Sequence, residues 1–174
     1  WAKAQLKVLK GSTTQLIAND AVDLFLRITD NEPVDSIPSG LKQLAKAELF
    51  AYQNKNEDAL EELSTLFSSK EILPNGLVPG EVIYDDVLFL QAKLFIKQEK
   101  FLEAIISLEK IIAADNQGFL TDDVYYAMAK LYHYNLNDFE KAKEYYQKII
   151  FEHPSSIYLV DARKKFRKLR GDTI

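Results

Sequence analysis

An all-α fold of stacked helix pairs is what this 174-residue chain predicts, on three observations. First, an ordered set of small, aromatic and aliphatic residues recurs. Ala92, Phe95, Phe101, Ala104, Leu108 and Ile111 reappear as Ala129, Tyr132, Phe139, Ala142, Tyr146 and Ile149, with one extra residue between Tyr132 and Phe139. A weaker copy is Ala47, Phe50, Ala59, Leu63 and Leu66, in which Asn56 replaces the middle aromatic. Second, apolar residues elsewhere fall at helical spacing, and no stretch of useful length alternates as a strand would. Third, the 6 Gly and 5 Pro lie mostly between the periodic segments. A fixed-order pattern recurring at intervals of roughly 34 to 45 residues marks a helical repeat array. Such arrays present surfaces to partners more often than they house chemistry.

The elements follow in order. Ala2, Leu6 and Leu9 sit at helical spacing at the start. Ser12, Thr13 and Thr14 offer an N-cap to an amphipathic stretch carrying Leu16, Ile17, Val22, Leu24, Phe25 and Ile28. Pro33 closes that stretch, because the residue before a proline is driven out of the helical region. Pro38-Ser39-Gly40 opens a helix over 41–53, and Asn54-Lys55-Asn56 turns it into a second over 57–67. Residues 72–80, with Pro74, Gly76, Pro79 and Gly80, form the longest break and the candidate hinge. Regular pairs then run over 81–97 and 100–114, and over 121–135 and 138–152. Asp85, Asp86, Asp122 and Asp123 lie where carboxylates complement the positive end of a helix dipole. Pro154-Ser155-Ser156 opens a final helix that Gly171 stops. The expected organisation is one domain over 1–174: N-terminal helices with a degenerate repeat over 1–71, the join over 72–80, two well-matched repeats over 81–154 and a capping helix over 155–170.

Composition fits this reading. Apolar residues make up 47% and charged residues of both signs 28%, the balance of a packed soluble chain. There is no Cys, which removes disulfides, thiolate metal sites and Cys nucleophiles, and is compatible with periplasm and cytoplasm alike. No run reaches the ~18 apolar residues of a membrane span. The start shows no basic-then-apolar leader, but Trp1 stands within helical periodicity without a Met, so the chain reads as a fragment or processed product. Charge is uneven: residues 161–174 hold six basic side chains against two acidic ones, leaving the first 160 at net −8.

The repeat has a mechanical reading. Ala92 and Ala104, and likewise Ala129 and Ala142, fall where paired helices cross, and a small side chain lets backbones approach to about 8–10 Å. The aromatics fill the space around each crossing. One pair cannot bury its apolar face alone, so stacking is obligatory.

These residues resemble tetratricopeptide repeats, most closely at Ala129, Tyr132, Phe139, Ala142, Tyr146, Ile149 and Pro154, and nearly as well over 88–116, where Asn116 replaces the closing proline. The junction over 153–163 looks like repeat junctions in bacterial envelope proteins of this class, among them outer-membrane assembly lipoproteins and coordinators of the Tol-Pal system. The whole chain is similar to C-terminal portions of longer bacterial repeat proteins. The resemblance implies a right-handed superhelical array in which the first helix of each pair lines a concave groove. By spacing it implies groove positions at Leu44, Glu48 and Tyr52, at Phe89, Lys93, Ile96 and Lys97, and at Tyr126, Lys130, His133 and Tyr134. Leu44 and Glu48 break the basic and asparagine pattern with which some such repeats clamp a chaperone's C-terminal carboxylate, so that ligand is not transferred.

Other chemistry finds little footing. His133 and His153 have no partner at ligand spacing, so no metal site is expected; His133 is a candidate ligand contact in the groove. Asp115-Asn116-Gln117-Gly118 lacks the alternating ligands and closing Glu of a calcium loop and reads as a turn. No Gly-rich phosphate loop, G-x-S-x-G or H-E-x-x-H occurs. No enzyme activity and no cofactor are expected. Tyr126 and Tyr134 are expected to be partly exposed, as aromatics suited to binding hot spots.

The basic helix, with Arg163, Lys164, Arg167 and Lys168, reads first as a solvated cap whose apolar face comprises Ile157, Leu159, Val160, Ala162, Phe166 and Leu169. An acidic protein surface is its second reading and phosphates its third, the latter opposed by the acidic body. The functional expectation is a module holding a protein or peptide partner in the groove, within a larger bacterial scaffold or assembly protein. The alternative is a structural segment that packs Trp1, Leu6, Leu16 and Phe25 on upstream repeats or another copy.

Overall fold

A computed structural model describes residues 1–12, 14–30, 40–68 and 83–172. The described residues hold nine α-helices and no strand: α1 (Ala2–Leu9), α2 (Gln15–Asp30), α3 (Leu41–Tyr52), α4 (Asn56–Phe67), α5 (Tyr84–Lys97), α6 (Phe101–Ala114), α7 (Thr121–Lys130), α8 (Phe139–Glu152) and α9 (Leu159–Arg170). A single π turn, Leu131–Asn135, extends α7. The fold class is that of an α-solenoid of helix pairs. The contacts divide the chain into two compact units, Trp1–Ile83 and Tyr84–Ile174, each taken by itself below. The expected join over 72–80 and the proline stop at Pro33 lie outside the described residues.

In the first unit α1 packs on α2 and α3 on α4. Thr14 precedes α2, its carbonyl accepting the Ala18 N–H, while Ser12 Oγ accepts the Thr14 N–H. Leu44, Ala47 and Ala51 of α3 and Ala59, Leu63 and Leu66 of α4 are all buried, and Lys46 bridges to Glu62 at 2.6 Å between the two helices. Leu44 is 2% exposed and so belongs to the core, not to a groove surface as the spacing implied.

In the second unit α5 packs on α6, α6 on α7, α7 on α8 and α8 on α9. The core runs through these contacts, from Leu88, Ala92, Ala104 and Leu108 to Met128, Ala129, Ala142, Tyr146, Ile149 and Ala162. The alanines at the expected crossings, Ala92, Ala104, Ala129 and Ala142, are at most 1% exposed.

One turn joins each pair, and its hydrogen bonds explain the repeat spacing. The Lys55 N–H donates to the Phe50 carbonyl and the Lys100 N–H to the Phe95 carbonyl, both at 2.9 Å. The residue just before each donor, Asn54 or Glu99, is left-handed at φ 60° or 58°. In the third pair the bond from Asp138 N–H reaches back to Tyr132 one residue farther, and Asn137 takes the left-handed place at φ 55°. The extra residue is absorbed in the π turn, where the Leu136 N–H donates to the Leu131 carbonyl five residues back. A π turn is what one inserted residue makes of a helix whose ends are fixed. The expected helix over 121–135 is therefore α-helical only to Lys130.

The last helix begins at Leu159, later than expected. The Ser156 N–H donates to the His153 carbonyl and the Leu159 N–H to the Ser156 carbonyl, so two tight turns precede it. Ile157 consequently lies in a turn at 85% exposure and Val160 faces outward at 79%; neither joins the buried face expected of them. Gly171 ends the helix at φ 90°, with the Asp172 N–H donating to the Arg167 carbonyl.

Glu99 is the least suited of the three left-handed residues, since Asn adopts that conformation more readily. Glu99→Gly is expected to raise stability by about 1 kcal/mol, read as a higher urea midpoint with unchanged slope. Asn54→Gly should give a smaller gain.

Candidate binding face on the second unit

Helices α5 and α7 lead their pairs, and their groove positions carry aromatic residues beneath lysines. Lys93 Nζ lies 4.2 Å from the Phe89 ring centroid and Lys130 Nζ 5.7 Å from that of Tyr126, each pair being four residues apart on one helix face. Phe89, Ile96 and Tyr126 are half-buried against the core, whereas Lys93, Lys97 and Lys130 are exposed. Glu48 and Tyr52 lie on the first unit, half-buried and 86% exposed respectively, and are described there alone.

The π turn sets the far end of this face. Within it the rings of His133 and Tyr134 stack at 4.1 Å and 13°. His133 Nδ1 lies 3.3 Å from the hydroxyl of fully buried Tyr146, and Phe139 meets the imidazole edge-on at 6.0 Å. Burial, with Lys165 and Lys168 nearby, holds the His133 pKa below its ordinary value. Tyr134 remains 54% exposed.

Helix α9 closes the end through a reciprocal exchange. Tyr158 donates its hydroxyl to Asp123 Oδ1 and Tyr126 donates to Asp161 Oδ2, both at 2.6 Å and both spanning 35 residues. Asp123 and Tyr126 are thus matched by Tyr158 and Asp161 in the same order, so α9 runs parallel to α7. The Tyr126 and Tyr158 rings stack at 4.1 Å and 10° between the two bonds. Ala162 is 0% exposed, in the place that Ala92 and Ala129 hold in the leading helices. In geometry α9 is another leading helix, with a lysine, Lys165, three residues beyond its alanine where Phe95 and Tyr132 stand earlier.

Lys165 ties the cluster together. Its Nζ lies 2.6 Å from Asp161 Oδ2 and 3.2 Å from the Tyr126 hydroxyl, and it stands over the Tyr126 and Tyr134 rings at 5.2 and 5.6 Å. Burial alone would lower its pKa, but the bonds to Asp161 and Tyr126 outweigh that and raise it. For Asp161 burial works upward, and the bonds from Lys165 and Tyr126 bring the net shift below the usual carboxylate range. Arg163, Lys164, Arg167 and Lys168 are exposed along the rest of α9.

Spacing along the sequence points to Tyr126, Lys130, His133 and Tyr134 but does not join Asp123, Tyr158, Asp161 and Lys165 into one cluster. A signal for that cluster is present: an Asp-x-x-Tyr on one helix answered by a Tyr-x-x-Asp on the next but one, followed by Lys four residues after the Asp. The Asp115–Gly118 segment is a turn in which Asp115 Oδ1 accepts the Gln117 N–H. Among the described residues no three His, Asp or Glu converge to hold a metal ion, and no helix is long and apolar enough to cross a membrane.

Residues 123–156, from the first turn of α7 through α8 to the turn before α9, match the family model of the tetratricopeptide repeat. No curated protein sequence matches the chain. The match and the paired helices together support a protein of tetratricopeptide-repeat type. Such repeats in general mediate protein–protein interaction and are not catalytic.

The tyrosines give this cluster a pH signature. Burial first, then the carboxylate bonds, raises the pKa of Tyr126 and Tyr158; burial raises those of Tyr125 and Tyr146, and pushes Tyr145 up to about 12. A group whose pKa is raised on folding contributes stability that is complete below its unfolded value and fades as pH climbs through the folded one. Tyrosinate absorbance should therefore develop in two stages, the second coinciding with loss of helicity above about pH 10. Tyr158→Phe should cost about 1 kcal/mol at pH 7, measured by urea denaturation. A single absorbance stage with helicity retained would contradict the assignment.

Proposed function

We propose that the protein is a non-enzymatic protein–protein interaction module that holds a peptide or helix of a partner along the leading-helix face of its second unit. It serves within a larger bacterial scaffold or assembly protein. The observation that carries this reading is a basic and aromatic face on an otherwise acidic chain. Lys93 over Phe89, Lys130 over Tyr126 and Lys165 over Tyr134 alternate flat apolar surface with positive charge. The net charge of the whole chain is −4. Aromatic side chains flanked by cations are the composition of binding hot spots, where flat area comes at low conformational cost. The bacterial assignment draws on the resemblance of the junction over 153–163 to envelope repeat proteins.

The test is capture of partners from the source organism with the protein and with a Lys93→Glu, Lys97→Glu, Lys130→Glu variant. The variant should lose the captured partner while its circular dichroism stays that of the native chain. Equal capture by both discards the face.

A second reading, self-association, is favoured by exposed apolar side chains on α1 and α2. Trp1 is 95% exposed, Val8 74% and Leu16 73%. Light scattering separates the two: a mass that doubles with concentration and returns to the monomer on Leu16→Glu favours assembly, and a strict monomer rejects it.

A further inference from the structure

The sequence pattern makes the last helix a solvated cap, yet the geometry makes it a wall of the binding face. Three observations meet at its contact with the π turn. The stacked His133 and Tyr134 rings form a flat platform half open to solvent. Lys165 stands beside that platform at 5.6 Å from the Tyr134 ring, and Lys168, one turn on, is near enough to act on His133. Finally, the neighbouring Lys165 shows how a carboxylate is held at this end: Asp161 accepts from the Tyr126 hydroxyl and the Lys165 ammonium, each at 2.6 Å. Among the described residues Lys168 enters no ion pair, and it is exposed.

We infer that His133, Tyr134 and Lys168, braced by Lys165, form an anchoring subsite for an acidic segment of the partner, which lays an apolar side chain on the platform and a carboxylate against Lys168. This rests on the proposed interaction function and deepens it by naming the partner's chemistry. Charge complementarity selects the occupant. Lys165 and Lys168 from α9 both act on His133, and the hydroxyl of Tyr146 from α8 meets its imidazole; the carboxylate beside Lys165, Asp161, is already taken by Lys165 and Tyr126. A basic or neutral segment would leave Lys168 unanswered, and an uncharged apolar one would lay it against dry surface. The inserted residue in the π turn is what brings His133 and Tyr134 together, so the subsite belongs to the third pair and has no counterpart on α5.

The test uses the whole chain and a short fluorescein-labelled peptide of Glu, Asp and Leu, with its Gln, Asn and Leu counterpart as control. The acidic peptide should bind and the control should not. Lys168→Glu should weaken binding about tenfold or more, the effect of reversing one interfacial charge. Lys110→Glu, an equal change of charge on exposed α6 surface, should leave binding as it was. The chain has only two histidines, so proton resonances report each directly. On saturation the His133 resonance should shift and its titration move to higher pH, because a nearby carboxylate favours the imidazolium; the His153 resonance should not shift on binding. Three results overturn the inference. If Lys168→Glu and Tyr134→Ala bind normally and His133 is unmoved, while the Lys93, Lys97 and Lys130 variant fails, the subsite is wrong and the face survives. If every variant binds as the native chain does, both fall. If the acidic peptide does not bind at all, the subsite's assigned chemistry is wrong, and partner capture still judges the face.

Discussion

The close approach of backbones at alanine is the constraint on which the rest of this structure depends. Ala47 and Ala59, Ala92 and Ala104, Ala129 and Ala142, and finally Ala162 are each at most 1% exposed. A methyl group at these positions brings helices near enough for the neighbouring large residues to interlock around the contact instead of holding the helices apart. In the second unit those neighbours are Leu88, Leu108, Met128, Tyr146 and Ile149, all buried. Once the helices are fixed so tightly, the lengths of the turns between them are fixed too. The same left-handed residue and the same backbone bond therefore recur after Phe50 and Phe95.

Against such a frame a single extra residue has a local and directed effect. The third pair cannot lengthen its turn without moving Ala142 of α8 off Ala129 of α7, so the insertion is taken up inside the helix as a π turn. That turn carries His133 and Tyr134, whose rings stack, that of His133 also meeting Tyr146 and Phe139. The reciprocal bonds between Asp123 and Tyr158 and between Tyr126 and Asp161 then bring α9 alongside α7 in parallel. Charge-assisted hydroxyl–carboxylate bonds of this length are stronger than neutral ones. They sit at the edge of the core, where part of that strength is returned to solvent. Packing of Ala162, Phe166 and Leu169 contributes alongside them.

Much of this fold is legible in the sequence. The order and spacing of small and aromatic residues announce helix pairs, because a helix crossing needs a small residue at one fixed place and bulk at its neighbours. Gly171 and the acidic first turns mark helix ends for equally local reasons. What spacing does not reveal is which face of a helix meets which neighbour. Leu44 shares its spacing with groove positions but turns into the core of its pair. Val160, expected on the apolar face, points to solvent because it stands two residues, about 200° around the helix, from buried Ala162. The extra residue before Phe139 is visible as an irregularity, while its resolution as a π turn depends on α8 being held in place from the other side. In the sequence Lys165 is one of six basic residues of a tail; only the parallel approach of α9 to α7 separates it from the others.

Partners, we propose, meet this protein on the leading-helix face of the second unit, at the end built by the π turn and α9. Site-specific photocrosslinking in the source cell tests this placement whatever the partner's identity. A photoreactive phenylalanine analogue would replace Tyr134, 54% exposed on that face, or Leu102, 65% exposed on α6. A discrete crosslinked product is expected from position 134 and none from position 102. Crosslinking from 102 with none from 134 would place recognition on the following helices and contradict the leading-helix face.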